Sequence, residues 1–138
     1  MGIDTKYINH FVNVTSRAAL EAYYFVGKND KIKADKAAVD SMRTELNKLD
    51  INGKVVIGEG ELDEAPMLFI GEKLGTFKGP ELDIAVDPLE GTNFVAQNLP
   101  GALSVIAVSE KKNLFNAPEK YMEKISKRVK EKGVVDLD

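Results

Sequence analysis

Acidic side chains directly after an apolar run are the first candidates for chemistry in this chain. They lie in the segment D-I-A-V-D-P-L-E-G-T, residues 83–92, where Asp87, Glu90 and Thr92 follow a stretch rich in isoleucine, alanine and valine. Such a run predicts a short buried strand that carries the two carboxylates at its own end. Carboxylate oxygens are the ligands that a hard cation such as Mg²⁺ or Mn²⁺ prefers, so a metal site is one interpretation of this segment.

Proline and glycine set the backbone geometry of this segment. Pro88 disfavours the helical region for Asp87, which keeps the predicted strand extended, and Gly91 permits a turn or a close backbone approach. Asp87 and Glu90 can then converge on one point, with Thr92 close by. A second interpretation is purely structural: Asp87 bonds nearby backbone amides in an Asx-type turn, and Thr92 caps a short helix. The ten residues alone slightly favour this second interpretation.

A second acidic segment, G-E-G-E-L-D-E at residues 58–64, follows a predicted β-branched strand at residues 54–57. Glycines on both sides of Glu59 allow a sharp turn and leave its carboxylate accessible, as a ligand loop requires. An exposed acidic loop without a ligand is an equally good interpretation. No G-K-S or G-K-T sequence follows, so the segment is not a phosphate-binding glycine loop.

Two further polar residues lie on predicted helices. Asp35 falls in the first turn of a helix predicted over residues 34–49, where the helix dipole favours an acidic side chain whether or not anything binds it. On the residues alone, we expect Asp35 to serve the dipole. His10, the only histidine, lies on a helix predicted over residues 4–26 and has no acid, base or ligand partner nearby in sequence. We expect it to be a surface or packing residue.

The remaining pattern predicts a layered α/β or α+β fold. Strands are predicted at 67–70, 82–87 and 102–108, a loop or short helix at 93–100, and a helix from about 118 to 133. Tyr121 is by default a member of the apolar face of that last helix.

Composition indicates one soluble domain. The chain has 138 residues, of which 43% are hydrophobic and 30% charged, and a net charge of -3; this length supports one core and does not promise two. The chain has no basic block of the kind that binds nucleic acid. It also has no long apolar segment and no cleavable leader, so we expect no association with a membrane. The absence of cysteine excludes disulfides and thiolate metal sites and fits a reducing compartment, so we expect a cytoplasmic protein.

Taken together, four segments resemble one known family. They are A-D-K-A-A-V at residues 34–39, V-I-G-E-G-E-L-D-E-A-P-M-L-F-I-G-E-K-L-G at 56–75, D-I-A-V-D-P-L-E-G-T at 83–92 and N-A-P-E-K-Y-M-E-K at 116–124. They are similar to the class II fructose-1,6-bisphosphatases of bacteria, some of which also hydrolyse sedoheptulose-1,7-bisphosphate. The third segment carries the D-P-x-[DE]-G-[TS] signature of the wider superfamily of lithium-sensitive sugar and inositol phosphatases.

The resemblance implies a role for each matching residue. The implied ligands of Mn²⁺ or Mg²⁺ are four carboxylates and one backbone carbonyl, from Asp35, Glu59, Asp87, Glu90 and Leu89. Catalytic positions that orient and deprotonate the attacking water match Glu59, Asp63 and Thr92. Substrate-contacting positions match Glu90, Gly91, Thr92 and Tyr121. The implied reaction is hydrolysis of the 1-phosphate of fructose-1,6-bisphosphate, a step of gluconeogenesis.

Members of this family continue well past the position of Asp138. The resemblance therefore implies that residues 1–138 are the N-terminal, metal-binding half of an αβαβα sandwich, without the half that binds the sugar and second phosphate. We expect the chain to associate with itself or with a polypeptide that supplies the missing half, and its activity alone is in question. The alternative is a non-catalytic module that binds a metal or a phosphorylated ligand. Either way, the strands at 82–87 and 102–108 should leave apolar surface exposed.

Overall fold

The computed structural model describes residues 3–59 and 67–115. In chain order these residues form a short 3-10 helix, Thr5–Tyr7, and then α1 Ile8–Tyr23, α2 Lys31–Asn47, β1 Asn52–Ile57, β2 Lys73–Leu74, β3 Glu81–Glu90, α3 Thr92–Ala96 and β4 Leu103–Glu110. The strands form one mixed sheet in the order β2-β1-β3-β4. The predicted α/β class is confirmed.

Helices α1 and α2 pack against each other along rows of small apolar residues. The buried positions recur every four residues: Val14, Ala18 and Ala22 on α1, and Ala34, Ala38, Met42 and Leu46 on α2. Because alanine predominates in these rows, the two helix axes can lie close together. The two helices predicted from the sequence are therefore confirmed.

Helix α2 begins at Lys31 rather than at residue 34. Asp30 is its N-cap, and the Asp30 carboxylate accepts a hydrogen bond of 3.0 Å from the Lys33 backbone N–H. The first turn contains no acidic residue, and Asp35 lies more than one turn inside the helix. The expectation that Asp35 serves the helix dipole is therefore wrong, because that interaction decays within the first turn.

Strands β1 and β3 run parallel, with Val55 opposite Ile84, and β4 runs antiparallel to β3. Because parallel strands end at the same edge of a sheet, the segments that follow β1 and β3 leave on one side. Leu82, Ile84 and Val86 of β3 are buried and join the residues of α1 and α2 in the core. This core fixes the two strand ends relative to α2.

Residues 67–70 do not form the strand that their apolar sequence predicts. The backbone turns there: the Glu72 N–H donates to the Phe69 carbonyl at 3.0 Å, and Gly71 has a φ of 100°. Leu68 is fully buried, so the apolar run reflects packing of a turn against the core rather than a sheet ladder. The next strand along the chain is β2, which has two residues and pairs antiparallel with β1.

Strand β4 lies at an edge of the sheet that residues 3–59 and 67–115 form, and apolar side chains on it are exposed. Leu103 and Val105 are 60% and 45% exposed. An apolar groove of about 540 Å³ lies between α1 and β4, with Phe11 and Ile106 among its lining residues. A strand edge with apolar side chains beside it is a surface on which further polypeptide can pair and pack.

His10 is exposed on α1, with its ring 6.3 Å from that of Tyr7, so its predicted surface position is confirmed.

Among the described residues, no helix combines the length and apolar character needed to cross a membrane.

Candidate metal centre

Strand β3 carries Asp87 and Glu90 at its end, as predicted. The chain stays extended through Asp87, and the register with β4 shifts between Asp87 and Glu90. Pro88 is fully buried at this irregularity, which is where a sheet accommodates a residue without a backbone N–H. Gly91 then adopts a φ of 82° and is the N-cap of α3, in a conformation that residues with a β-carbon rarely adopt.

The two carboxyl groups at the end of β3 lie close enough for Glu90 to raise the pKa of Asp87. Burial raises the pKa of Asp87 to about 6, and the neighbouring Glu90 carboxyl adds to the rise through hydrogen bonding and charge repulsion. The Leu89 N–H, which donates to Asp87 at 3.2 Å, acts in the opposite direction, and the Asp35 carboxylate adds a smaller rise. The predicted Asx interaction and the predicted convergence of Asp87 with Glu90 therefore coexist. Negative charge collects here, and a cation would relieve it.

Asp35 contributes a carboxylate from α2. Its side chain is half-buried, and burial raises its pKa. Its Oδ1 is buried and has no hydrogen-bond partner among residues 3–59 and 67–115. A buried acceptor without a partner costs roughly 1–3 kcal/mol. The fold retains this cost, and a divalent cation with oxygen ligands would remove it. Asp35 is therefore a side chain that could take part in holding a cation.

Glu59 lies just beyond the end of β1, at the same edge of the sheet as Asp87. Its backbone N–H donates to the Leu68 carbonyl at 3.1 Å, and its side chain is half-buried. Within residues 3–59 and 67–115, no three His, Cys, Asp or Glu side chains come together in metal-binding geometry. The structure thus brings Asp87 and Glu90 together, with Asp35 in electrostatic reach, and places Glu59 at their edge without closing one ligand shell.

The other predicted site residues have different outcomes. Gly91, not Thr92, occupies the N-cap of α3, and Thr92 is the first helical residue. The predicted Thr92 cap is therefore wrong, because the chain leaves β3 through a left-handed residue that suits glycine. Leu89, the proposed carbonyl ligand, is 4% exposed. Asp63 and Tyr121 lie outside the described residues, as does the helix predicted from 118 to 133.

Sequence reasoning missed one polar cluster, in which Arg43 contacts Glu72 and the Met67 carbonyl. The guanidinium of Arg43 on α2 donates from Nε and Nη2 to the Glu72 carboxylate, at 2.7 and 3.1 Å. Nη2 also donates to the Met67 carbonyl at 2.6 Å. The only signal in the sequence was an arginine directly after buried Met42, and no local pattern pointed to Glu72.

Fold and site together define an α/β protein with two adjacent carboxylates at the end of a buried strand. A solved structure from Pyrococcus furiosus, titled as an extragenic suppressor, has a similar fold. The TM-score is 0.50 at 18% sequence identity, over 76% of this chain and 40% of that one. At this identity the similarity shows the fold alone.

The chain belongs to the family of bacterial, glpX-encoded fructose-1,6-bisphosphatase, whose family model matches residues 5–138. "Fructose-1,6-bisphosphatase 1 class 2" of Escherichia coli (strain K12) is 52% identical over 128 residues, which cover 93% of this chain and 38% of that protein. "D-fructose 1,6-bisphosphatase class 2/sedoheptulose 1,7-bisphosphatase" of Prochlorococcus marinus (strain MIT 9303) is 45% identical over 135 residues, 98% of this chain and 40% of that protein. The predicted family is confirmed, and the chain spans about two fifths of the length of these relatives.

Proposed function

We propose that residues 1–138 are the metal-binding part of a divalent-metal-dependent sugar bisphosphatase that hydrolyses the 1-phosphate of fructose-1,6-bisphosphate. The observation that carries the proposal is the concentration of carboxylates at the end of β3, where Asp87 meets Glu90 and lies within electrostatic reach of Asp35. The names of the Escherichia coli and Prochlorococcus marinus relatives support the substrate class, and the second name adds sedoheptulose-1,7-bisphosphate.

The cation is Mn²⁺ or Mg²⁺, and its proposed ligands come from α2, the end of β1 and the end of β3. They are the carboxylates of Asp35, Glu59, Asp87 and Glu90 and the carbonyl of Leu89. When bound, such an ion neutralises phosphate oxygens and lowers the pKa of a coordinated water. The buried Asp35 Oδ1 and the raised pKa of Asp87 support the fit, because both groups gain from a nearby positive charge.

Water and substrate are proposed to be handled by residues around the same strand end. The residues that orient and deprotonate the water are Glu59, Asp63 and Thr92, and those that contact substrate are Glu90, Gly91, Thr92 and Tyr121. A carboxylate accepts hydrogen bonds from water, whereas the Thr92 hydroxyl can both donate and accept. Thr92 follows Gly91 at the start of α3, which places the hydroxyl close along the chain to the β3 carboxylates.

Full activity is proposed to need more polypeptide than this chain. The chain spans 38% and 40% of the two relatives, and in the described part of the chain no strand pairs with the outer edge of β4, beside the groove of about 540 Å³. We place the remaining part of the relatives' length on this surface, and in its absence a second copy of the chain. The exposed Leu103 and Val105 support association here, because apolar side chains at a free strand edge favour it.

A non-catalytic role is the second candidate. In this role the protein binds a metal or a phosphorylated ligand and depends on a partner for turnover, and the role is favoured because residues 3–59 and 67–115 hold no group of three His, Cys, Asp or Glu side chains that could bind a metal. In both cases we place the protein in the cytoplasm, which the absence of cysteine supports.

The test is metal-dependent phosphate release from fructose-1,6-bisphosphate. Two proteins are compared: this chain alone, and this chain fused to the part of the Escherichia coli relative that follows the matched region. We expect Mn²⁺-dependent release from the fusion, little from the chain alone, and none from the fusion carrying Glu90→Ala. Glu81→Ala, at the exposed start of the same strand, is the matched control and should keep activity.

A folded fusion that binds Mn²⁺ and releases no phosphate would contradict the enzymatic proposal and favour the non-catalytic one. Equal release by Glu90→Ala and the unmodified fusion would remove Glu90 from the site.

A further inference from the structure

Arg43 joins α2 to residues 67–72, a segment that comes after the acidic sequence at 58–64. The guanidinium makes a bidentate contact with the Glu72 carboxylate and a third hydrogen bond to the Met67 carbonyl. The Arg43 side chain is 26% exposed and that of Glu72 only 12%, so the pair is largely shielded from water. Charge-assisted, bidentate pairs of this kind are strong and directional.

The segment held by Arg43 is bonded to the strand that leads to Glu59. The Val55 N–H donates to the Glu72 carbonyl at 2.9 Å, and the Gly71 N–H donates to the Val55 carbonyl at 2.8 Å. At the far end, the Glu59 N–H donates to the Leu68 carbonyl at 3.1 Å. Glu59 is therefore held by backbone hydrogen bonds to a segment that Arg43 ties to α2.

The same helix carries Asp35, one of the proposed ligands. Carboxylates that must share a cation repel one another before it binds, so their separation has to be maintained by neighbouring contacts. One helix that carries Asp35 and also anchors the Glu59 segment provides such a constraint. Nothing in the proposed chemistry otherwise uses Arg43.

We infer that Arg43 is a positioning residue for the metal site: through Glu72 and Met67 it fixes the backbone of Glu59 relative to α2. This inference rests on the proposed function for the role of Glu59. Its geometric part, the attachment of residues 67–72 to α2, stands on the hydrogen bonds alone.

The experiment uses the whole chain with Arg43→Met, which keeps the apolar length of the side chain and removes every donor. We expect Mn²⁺ affinity, measured by calorimetric titration, to fall on the order of 10-fold, the scale of losing a partner outside the ligand shell. Amide hydrogen exchange at Glu59 should accelerate, while exchange at Leu46 in the core of α2 stays unchanged. Arg43→Lys should recover part of the affinity, since it restores the charge without the bidentate geometry.

Arg17→Met is the matched control, because Arg17 is exposed on α1. It should change neither affinity nor exchange at Glu59. If Arg43→Met does not fold, Glu72→Gln tests the same contact with a smaller change. Unaltered Mn²⁺ affinity in a folded variant would overturn the inference, even if its melting temperature falls, because a merely structural residue would behave in that way.

Failure of the inference can be told apart from failure of the proposed function. If the unmodified chain does not bind Mn²⁺, the ligand assignment fails. Exchange at Glu59 then decides the geometric part alone: acceleration in Arg43→Met upholds the attachment, and no acceleration overturns it.

Discussion

Strand β3 carries two aspartates, at positions 83 and 87, in opposite environments. Asp83 is only 5% exposed, yet its Oδ2 accepts a hydrogen bond of 2.6 Å from the Lys112 backbone N–H. Asp87 is half-buried, accepts a longer bond of 3.2 Å from a neighbouring N–H, and meets the Glu90 carboxyl. The first aspartate has a dedicated partner and fixes the turn after β4. The second is surrounded by charge of its own sign.

The difference separates a structural carboxylate from a candidate functional one. Burial alone does not mark a site, because the more deeply buried Asp83 is satisfied by the fold itself. What marks Asp87 is the combination of burial, a raised pKa of about 6 and like-charged neighbours at a strand end. The ionised form of Asp87 therefore carries an electrostatic cost, which protonation or a nearby positive charge would relieve.

Asp87→Asn is expected to have the largest effect on this comparison. Mn²⁺ affinity should fall by more than the roughly 10–100-fold that loss of an outer partner costs, because a charged ligand is removed. The melting temperature should stay the same or rise, because the substitution relieves repulsion. Calorimetric titration and thermal unfolding measure the two effects, and a variant that binds Mn²⁺ normally would exclude Asp87 as a ligand.

Asp83→Ala should show the opposite pattern. The Lys112 N–H loses its acceptor, so the free energy of unfolding should fall by about 1–3 kcal/mol. Mn²⁺ affinity of the folded fraction should be retained. Urea denaturation measures the first quantity. If Asp83→Ala abolished Mn²⁺ binding as fully as Asp87→Asn, the distinction between the two aspartates would be lost.

The pH dependence of the metal-free chain provides a third contrast. Asp87 keeps its proton up to about pH 6 when folded, whereas its ordinary pKa is 3.8. Between these values the folded state binds more protons than the unfolded state, so the Asp87 contribution to stability is present at low pH and is lost as pH rises. The difference in unfolding free energy between the unmodified chain and Asp87→Asn, measured between pH 3.8 and about pH 6, gives the contribution of Asp87 to stability. A difference that does not change with pH would contradict the raised pKa.

Glu90→Gln should have the smallest effect on stability, within about 0.5 kcal/mol, because Glu90 is exposed. It should nevertheless lower the pKa of Asp87 toward its ordinary value, since one source of repulsion disappears. An NMR titration of the Asp87 carboxyl measures this change. An unaltered titration midpoint would mean that burial alone sets the pKa.

Local sequence patterns predicted the elements well and their relative placement poorly. The apolar run before Asp87, together with Pro88 and Gly91, was enough to predict an extended strand followed by a turn. The start of α2 was misplaced because the capping carboxylate of Asp30 lies outside the apolar stripe. The apolar run at 67–70 predicts a strand although it forms a turn, because periodicity cannot distinguish a buried turn from a buried strand.

Long-range pairings lay beyond local patterns. The parallel register that places Glu59 and Asp87 at one edge depends on the fold as a whole, as does the contact between Arg43 and Glu72. For Glu59, residue chemistry left the functional and structural interpretations equally open. For Asp35, it favoured the structural interpretation. The family resemblance supplied their proposed roles, and the buried Oδ1 of Asp35 afterwards provided a physical argument for one of them.

The most direct test of the central claim is a calorimetric titration of the unmodified chain with Mn²⁺, near neutral pH and again near pH 6, in two buffers with different enthalpies of ionisation. We predict saturable binding at both pH values, with proton release growing toward the lower one as Asp87 gives up its proton. A folded chain that shows no saturable binding at millimolar Mn²⁺ would contradict the claim that the end of β3 is a divalent-cation site.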